Sequence, residues 1–210
     1  MRIVCISDTH NKHKEIDLPE GDILIHAGDF TNRGTFEEVV IFSNWLAEIK
    51  DRYKKIFVIA GNHDFFMERQ PALGKNILKD HCEYLFDSEY IYEGIKFYGA
   101  PWQPTYFNWA FNVNRGTALA AKWALIPEDV HVLITHTPVW EILDKNKNGD
   151  SCGCKDLLDR LDYLDHLKLH VGAHIHESHG ILQQNNKIFV NASICTINHE
   201  PINTPIIVEL

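Results

Sequence analysis

The segment from Ile56 to Asp64 reads Ile-Phe-Val-Ile-Ala-Gly-Asn-His-Asp. Its first five residues are apolar and rich in β-branched side chains, which predicts a short buried strand. The strand ends at Gly61, and an amide, an imidazole and a carboxylate follow it in Asn62, His63 and Asp64. A turn does not require that set of side chains, and carboxylate or imidazole side chains likewise follow four other apolar runs.

Those four runs are also predicted strands, and each is followed directly by polar side chains that bind metal ions. The strands span residues 2–7, 22–27, 130–135 and 169–172. The potential ligands after all five strands are Asp8 and His10, Asp29, Asn62, His136, and His174 and His176. A single Asp here is more often a helix cap, and a single His more often a satisfied polar residue. Because ligands of open α/β sheets lie at the carboxyl ends of the strands, the recurrence favours one shared site.

The chemistry of these ligands indicates a pair of metal ions. Imidazoles mixed with carboxylates suit Mn, Fe, Zn, Co or Ni better than Ca or Mg, which prefer oxygen ligands. Seven protein ligands exceed what one tetrahedral zinc ion takes. They fit two ions that share a carboxylate at a separation of roughly 3.5–4 Å.

The charge of such a centre favours a phosphate ester as substrate. Two divalent ions, two aspartates and one bridging hydroxide leave a single positive charge, which complements a phosphodiester monoanion. In-line attack by the hydroxide then needs a proton donor for the leaving alkoxide. We assign that catalytic role to His63, although it is also able simply to support its loop. Asp64 either orients a neighbouring imidazole or caps the following turn.

The length and composition predict one soluble globular domain covering residues 1–210. No apolar run approaches the roughly 20 residues needed to cross a membrane, and no signal segment precedes the first strand, so we expect the cytoplasm. The net charge of −9 argues against binding of long nucleic acid but not of a small nucleotide. Five scattered cysteines favour reduced thiols, and for Cys152 and Cys154 a structural role is favoured over half of a zinc site, since no second Cys/His pair stands at a matching spacing. The oligomeric state stays open.

The order of the elements predicts an α/β fold with mixed sheets. A helix over residues 35–50 begins with a capping box formed by Thr35 and Glu38. Further helices are predicted at residues 71–82, 116–125 and 155–166, with hairpins at residues 90–98 and 181–190 and a last strand at residues 205–210. Helices follow strands in the first half of the chain, and the strands pair as hairpins in the second half.

An aromatic loop from Trp102 to Phe111 is the candidate border of the substrate pocket. We expect Trp109 to stack a base there, unless these rings fill the space between the sheets. Arg33 and Arg115 are candidate phosphate ligands, or are salt-bridged or solvated. Asn112 either meets the substrate or holds its own loop.

The five strand-end blocks resemble, in order and approximate spacing, the signature of the calcineurin-like metallophosphoesterases. The blocks are Asp8-x-His10, Gly28-Asp29, Gly61-Asn62-His63-Asp64, His136 and His174-x-His176. Segments such as Pro101-Trp102, Asn191-Ala192-Ser193 and the ending 201–207 are similar to the metallophosphoesterase-domain branch first noticed in fetal brain. One departure is Ala173, where the family usually has glycine.

The resemblance implies a four-layer α/β/β/α sandwich with two mixed β-sheets. It implies that Asp8, His10, Asp29 and His176 hold one ion. It implies that Asp29, Asn62, His136 and His174 hold the other. In that arrangement His63 is the general acid, and Mn²⁺ is the metal we most expect. The branch suggests 2′,3′- or 3′,5′-cyclic nucleotides as substrates. The alternatives are a phosphomonoesterase or protein phosphatase of the same fold, and a scaffold without catalysis.

Overall fold

The computed structural model describes residues 1–210 as two β-sheets and the helices that cover them. The strands are β1 (Arg2–Ile6), β2 (Ile23–Ala27), β3 (Lys55–Ile59), β4 (Glu83–Tyr84), β5 (Ser88–Tyr92), β6 (Ile95–Ala100), β7 (Gln103–Pro104), β8 (Asn112–Val113), β9 (Val132–Thr135), β10 (Leu169–Gly172), β11 (Gly180–Gln184), β12 (Lys187–Asn191) and β13 (Ile206–Glu209). The helices are α1 (Phe36–Ile49), α2 (Phe65–Arg69), α3 (Pro71–Leu78), α4 (Thr117–Trp123) and α5 (Lys155–Leu161).

Both large sheets are mixed, with parallel strands at their centres. The first has the order β13-β1-β2-β3-β4, in which only β13 is antiparallel to its neighbour. The second has the order β11-β12-β10-β9-β6-β5, with antiparallel hairpins at both edges. The two-residue strands β7 and β8 pair separately. All the parallel strands therefore present their carboxyl ends as candidate ligand positions.

Three hydrophobic clusters lie between the four layers of the fold, which are helices, two sheets and helices. The first contains side chains of β1–β3 together with Phe42, Trp45 and Leu46 of α1. The second lies between the sheets, where Phe57 of β3 stacks on Phe97 of β6 at 4.3 Å between ring centroids. The third contains strands of the second sheet and residues of α4 and α5. This is the predicted α/β/β/α sandwich, so the predicted fold class is confirmed.

Local signals in the sequence correspond to the observed ends of the elements. The Thr35 side chain accepts from the backbone N–H of Glu38, whose carboxylate accepts in return from the backbone N–H of Thr35. Asn185 and Asn186 both adopt positive φ, at 51° and 59°, as a tight hairpin turn requires. The strands and α-helices that the pattern did not predict are α2, of five residues, and the two-residue strands β4, β7 and β8, all of which are too short to show a period.

Two further observations concern the cysteines and the helices. All five cysteines are free thiols, and Cys154 is buried with its sulfur 3.3 Å from the indole nitrogen of Trp123. No helix has both the length and the apolar character that a bilayer crossing requires.

Candidate metal centre

The carboxyl ends of strands from both sheets meet at one place and bring the strand-end side chains together. Asp8 follows β1, Asp29 follows β2, His136 follows β9 and His174 follows β10. The main chain ties these segments to each other, since the backbone N–H of Asp8 donates to Gly28 and that of Ala173 donates to His136. Residues that are far apart in the chain thus form one buried cluster.

One part of the cluster is centred on the Asp8 carboxylate, which is fully buried. Its Oδ1 lies 3.0 Å from Nε2 of His176, and its Oδ2 accepts a hydrogen bond of 2.8 Å from the hydroxyl of Ser193. One ligand atom each from Asp8, His10 and His176 lie within 4.8 Å of one another. This spacing suits three ligands of a single cation.

The other part is centred on His136. Its Nε2 lies 2.9 Å from Oδ1 of Asn62 and 3.4 Å from Oδ2 of Asp29, and the His174 ring is 5.1 Å away between centroids. Ligand atoms of Asp8, Asp29 and His136 also fall within 4.8 Å of one another. The two aspartates therefore connect the two parts of the cluster, as a shared carboxylate requires.

Backbone carbonyls fix the direction in which the imidazoles point. A carbonyl oxygen only accepts hydrogen bonds, so an Nδ1 atom that contacts one must be the donor. Nδ1 of His10 lies 3.2 Å from the carbonyl oxygen of Thr31, and Nδ1 of His176 lies 2.9 Å from that of Thr196. The same contact joins His136 to the carbonyl of Ala27 at 2.9 Å. In the neutral form of each ring Nε2 is then the atom with the lone pair, and such a carbonyl contact is the usual outer-shell support of a metal-binding histidine.

The donor set fits a pair of divalent cations. The Nε2 atom of His10 is buried and has no hydrogen-bond partner within the protein. Leaving such a group unsatisfied costs about 1–3 kcal/mol, and a cation bound beside Asp8 supplies the missing partner. Carboxylate oxygens, an amide oxygen and imidazole nitrogens are together the ligands that transition metals accept.

Two imidazoles of the centre are paired with carboxylates. Burial disfavours the charged form of His176, but Asp8 outweighs burial and raises the pKa of His176 to about 9. At His136 burial also disfavours the charged form, but the nearby Asp29 outweighs burial and raises the pKa of His136 to about 9. In contrast, burial lowers the pKa of His10 to about 4. Because metal ligation requires neutral imidazoles, a bound cation takes the place of the protons on His136 and His176.

The backbone at the ligands is held in an uncommon conformation. Asp8, His10, Asp29 and His174 all have positive φ, between 41° and 68°. Such conformations cost about 1–3 kcal/mol each for residues other than glycine, and they cluster at functional sites. Ala173 does not share this conformation and packs in the core between the sheets, so alanine is compatible with the fold at this position.

Gly61 permits the close approach of the two strand-end loops. A Cβ atom at this position would collide with the Asp29 carboxylate and would lie 2.7 Å from Cε1 of His136. Asp64 completes the connection. Its carboxylate accepts hydrogen bonds from the backbone N–H groups of Gly61, Asp29 and Thr31 and from the Thr31 hydroxyl, at 2.6–2.9 Å.

Both predicted roles of Asp64 are wrong. Its side chain contacts no imidazole and makes no capping hydrogen bond to α2, because all four of its contacts join the loops after β2 and β3. It is fully buried and does not line the cavity in front of the metal ligands. Asp64 is therefore a positioning residue and does not touch the reacting atoms.

His63 stands at the mouth of the cluster and faces a cavity of about 520 Å³. Its Nδ1 donates to the carbonyl of Asn32 at 2.8 Å, and its backbone N–H donates to Asp29 Oδ1 at 2.7 Å. Trp109 packs on the ring at 4.4 Å between centroids and also lines the cavity. The acid candidate and the aromatic candidate thus border the same space.

The remaining substrate-contact candidates differ in position. Arg115 lines the cavity, and its guanidinium donates to the carbonyls of Gly153 and Cys152 at 2.9 and 3.5 Å. Arg33 is exposed and does not line the cavity, and its assignment as a substrate ligand stays a prediction. Asn112 holds its own loop, which is one of its two predicted roles, because both ends of its amide bond the main chain or a side chain of that loop.

One residue of the site follows no predicted strand and was missed. His199 lines the cavity and stacks on His10. The only signal in the sequence was a histidine two positions before the ending at residues 201–207 that resembles the metallophosphoesterase-domain branch. A loop histidine without periodic neighbours gives no pattern from which a contact is inferred.

Known proteins resemble this chain over most of its length. Residues 1–178 match the family model described as Calcineurin-like phosphoesterase, a segment that contains every strand-end ligand but not His199. The chain is 41% identical over 232 residues to human Metallophosphoesterase domain-containing protein 1, covering 100% of this chain and 71% of the human protein. It is 38% identical over 236 residues to a UPF0046 protein of Caenorhabditis elegans, covering 100% of this chain and 81% of that protein.

A solved structure shares the fold. The crystal structure of TT1561 of Thermus thermophilus superimposes with a TM-score of 0.59, covering 90% of this chain and 88% of that one at 13% identity. At this identity the likeness concerns the fold alone.

Proposed function

Since this chain belongs to the calcineurin-like phosphoesterase family, and is on that ground a metal-dependent phosphoric ester hydrolase, we propose that it is a phosphodiesterase of small phosphodiesters. The substrates we favour are cyclic nucleotides of the 2′,3′ or 3′,5′ type, and the metal we favour is Mn²⁺. The observation that carries the proposal is the orphaned Nε2 of His10 beside paired carboxylates, in a centre whose charge suits a phosphate monoanion.

The contacts suggest which residues would hold each metal ion and which would position the loops. Asp8, His10 and His176 would hold one ion, and Asn62, His136 and His174 the other, with Asp29 shared between them. When bound, the two ions would lower the pKa of water enough to supply a nucleophile at neutral pH and would offset the charge of the phosphate. Asp64 and Gly61 keep the loops after β2 and β3 in contact, which fixes Asp29 against Asn62.

We assign to His63 the role of donating a proton to the leaving oxygen. Its Nδ1–H is committed to the carbonyl of Asn32, so Nε2 is the atom that remains for the substrate. Trp109 covers one face of the ring and limits its movement. A general acid held in this way typically contributes about 10²–10⁴-fold to the rate.

The size of the cavity supports a small substrate. A volume of about 520 Å³ lies within the roughly 300–1,000 Å³ typical of sites for small molecules. The walls combine the imidazoles with Tyr106, Trp109 and Ile197. A nucleotide presents the matching pair of surfaces, a charged phosphate and an apolar ring.

Removal and return of metal test the proposal. The protein is stripped with chelator, and Mn²⁺, Zn²⁺, Fe²⁺, Ni²⁺ or Mg²⁺ is returned singly before assay with 2′,3′-cyclic AMP, 3′,5′-cyclic AMP and a phosphomonoester. We expect no turnover without metal and diester hydrolysis with at least Mn²⁺. Turnover of the monoester alone would favour a phosphomonoesterase, and no turnover with any metal would favour a scaffold.

We predict that Trp109→Ala raises the KM for cyclic nucleotides about five- to 150-fold, since a base stacked on an aromatic ring is worth about 1–3 kcal/mol. The KM for bis-p-nitrophenyl phosphate, which has no base, should change much less. Separate measurement of kcat detects disturbance of His63, which contacts the same indole. Phe107→Ala is the control, because Phe107 is 74% exposed in the same loop and does not line this cavity. Equal effects of Trp109→Ala on both substrates would contradict base stacking.

A further inference from the structure

His199 is the one imidazole of the site that no strand end supplies. It lies in the loop between β12 and β13, and its ring is stacked on that of His10 with 4.1 Å between centroids and 4° between planes. Its centroid is 5.7 Å from that of His63 and 6.0 Å from that of His176. The ring is therefore held over the metal ligands on the side that faces the cavity.

The loop that carries His199 has a defined structure. Thr196 donates its backbone N–H to the Glu200 carbonyl at 2.9 Å, and its hydroxyl accepts from the backbone N–H groups of Asn198 and Glu200. Its carbonyl also accepts from Nδ1 of His176. His199 itself has a φ of 57°, which is unfavourable for a histidine and is maintained only where the surroundings impose it. The placement of the ring is thus built into the fold.

The nitrogens of His199 have no partner within the protein. The side-chain hydrogen bonds of the structure include His10, His63 and His176 but none from the His199 ring. One ring nitrogen each from His10, His63 and His199 lie within 4.8 Å of one another. The nitrogen of His10 would bind a metal ion, which would leave Nε2 of His63 and the ring nitrogens of His199 available to a substrate beside that ion.

We propose that His199 contacts the substrate directly and, together with His63, forms a subsite for a phosphoryl oxygen of the ester. This inference rests on the proposed phosphoesterase function. Even a neutral imidazole carries one N–H donor, so the contact needs no change of charge. Stacking on His10 fixes the ring plane before the substrate arrives, and a donor oriented in advance is more effective than one that must reorganise.

The test uses full-length protein loaded with Mn²⁺ and the variant His199→Phe. Phenylalanine keeps a flat ring on His10 and removes both nitrogens. We expect the variant to retain its two metal ions, while its affinity for inorganic phosphate, measured by calorimetry, falls about ten- to 150-fold. The kcat/KM for a diester should fall by a similar factor. Asn198→Ala is the control, since this exposed neighbour in the same turn does not line the cavity and should match wild type.

A second variant, His199→Asn, keeps the test decisive if His199→Phe fails to fold. His199→Asn suits the positive φ, and its shorter side chain is expected to lose phosphate affinity too. Phosphate affinity of a folded variant within twofold of wild type would overturn the subsite. So would loss of bound metal from either variant, or a third metal equivalent in wild type that His199→Phe removes, because His199 would then serve a cation. Wild-type protein that binds metal but cleaves no ester refutes the proposed function, whereas the phosphate titrations still decide the subsite.

Discussion

Replacement of Asp29 by asparagine should abolish hydrolysis, lowering kcat/KM by at least about a thousandfold. Asp29 is the carboxylate that we assign to both ions, and its Oδ2 lies 3.4 Å from His136 while its Oδ1 accepts from the backbone N–H of His63. Asparagine has the same shape but lacks the charge and the second anionic oxygen. We therefore expect the variant to bind at most one ion, as measured by metal content after dialysis.

The control for this variant is Asp22→Asn. Asp22 precedes β2, at the opposite end of the strand from Asp29, and forms a partly exposed ion pair with Lys54 at 2.9 Å. Its substitution should leave metal content and rate unchanged. An Asp29→Asn protein with two bound ions and near-normal turnover would show that the two sites do not depend on a shared carboxylate.

The variant His63→Ala should retain both metal ions and hydrolyse cyclic nucleotides about 10²–10⁴-fold more slowly. The side chain of His63 makes its hydrogen bond to Asn32 O and not to a ligand, so its loss removes the proton donor and leaves the metal centre in place. A ribose alkoxide leaves poorly without a proton, whereas nitrophenolate leaves without help. The rate with bis-p-nitrophenyl phosphate should therefore fall much less.

Comparison of kcat for the two substrates separates acid catalysis from structural support. A uniform loss with both leaving groups would mean that His63 holds its loop, and unchanged rates would remove the acid role. His166→Ala serves as a control, because His166 is an exposed histidine that does not line the cavity. It should leave the ratio of the two rates as in wild type.

The candidate metal ligands could be recognised in the sequence because each lies within a few residues of the end of an apolar strand. Parallel strands place their carboxyl ends at one edge of a sheet, so the positions of Asp8, Asp29 and Asn62 follow from β1–β3 without knowledge of the packing. The convergence of His136 and His174 with them depends on how the two sheets face each other. The pattern indicated this only through the recurrence of the motif.

The parts that sequence reasoning missed depend on contacts between distant loops. His199 joins the site through a stack with His10 that connects the two ends of the chain, and no periodic pattern marks it. Asp64 was expected to orient an imidazole or to cap a turn, but its oxygens accept from backbone N–H groups that only the folded loops bring within reach. The two predicted roles of Asn112 were likewise separable only in the folded loop, which its amide holds.

The proposed hydrolysis depends on two cations held around Asp29. Anomalous diffraction from crystals grown with Mn²⁺ measures this directly, at a wavelength where manganese scatters strongly. We predict two peaks roughly 3.5–4 Å apart, one beside Asp8, His10 and His176 and the other beside Asn62, His136 and His174. A single peak, or two peaks that do not share Asp29, would contradict the dinuclear centre.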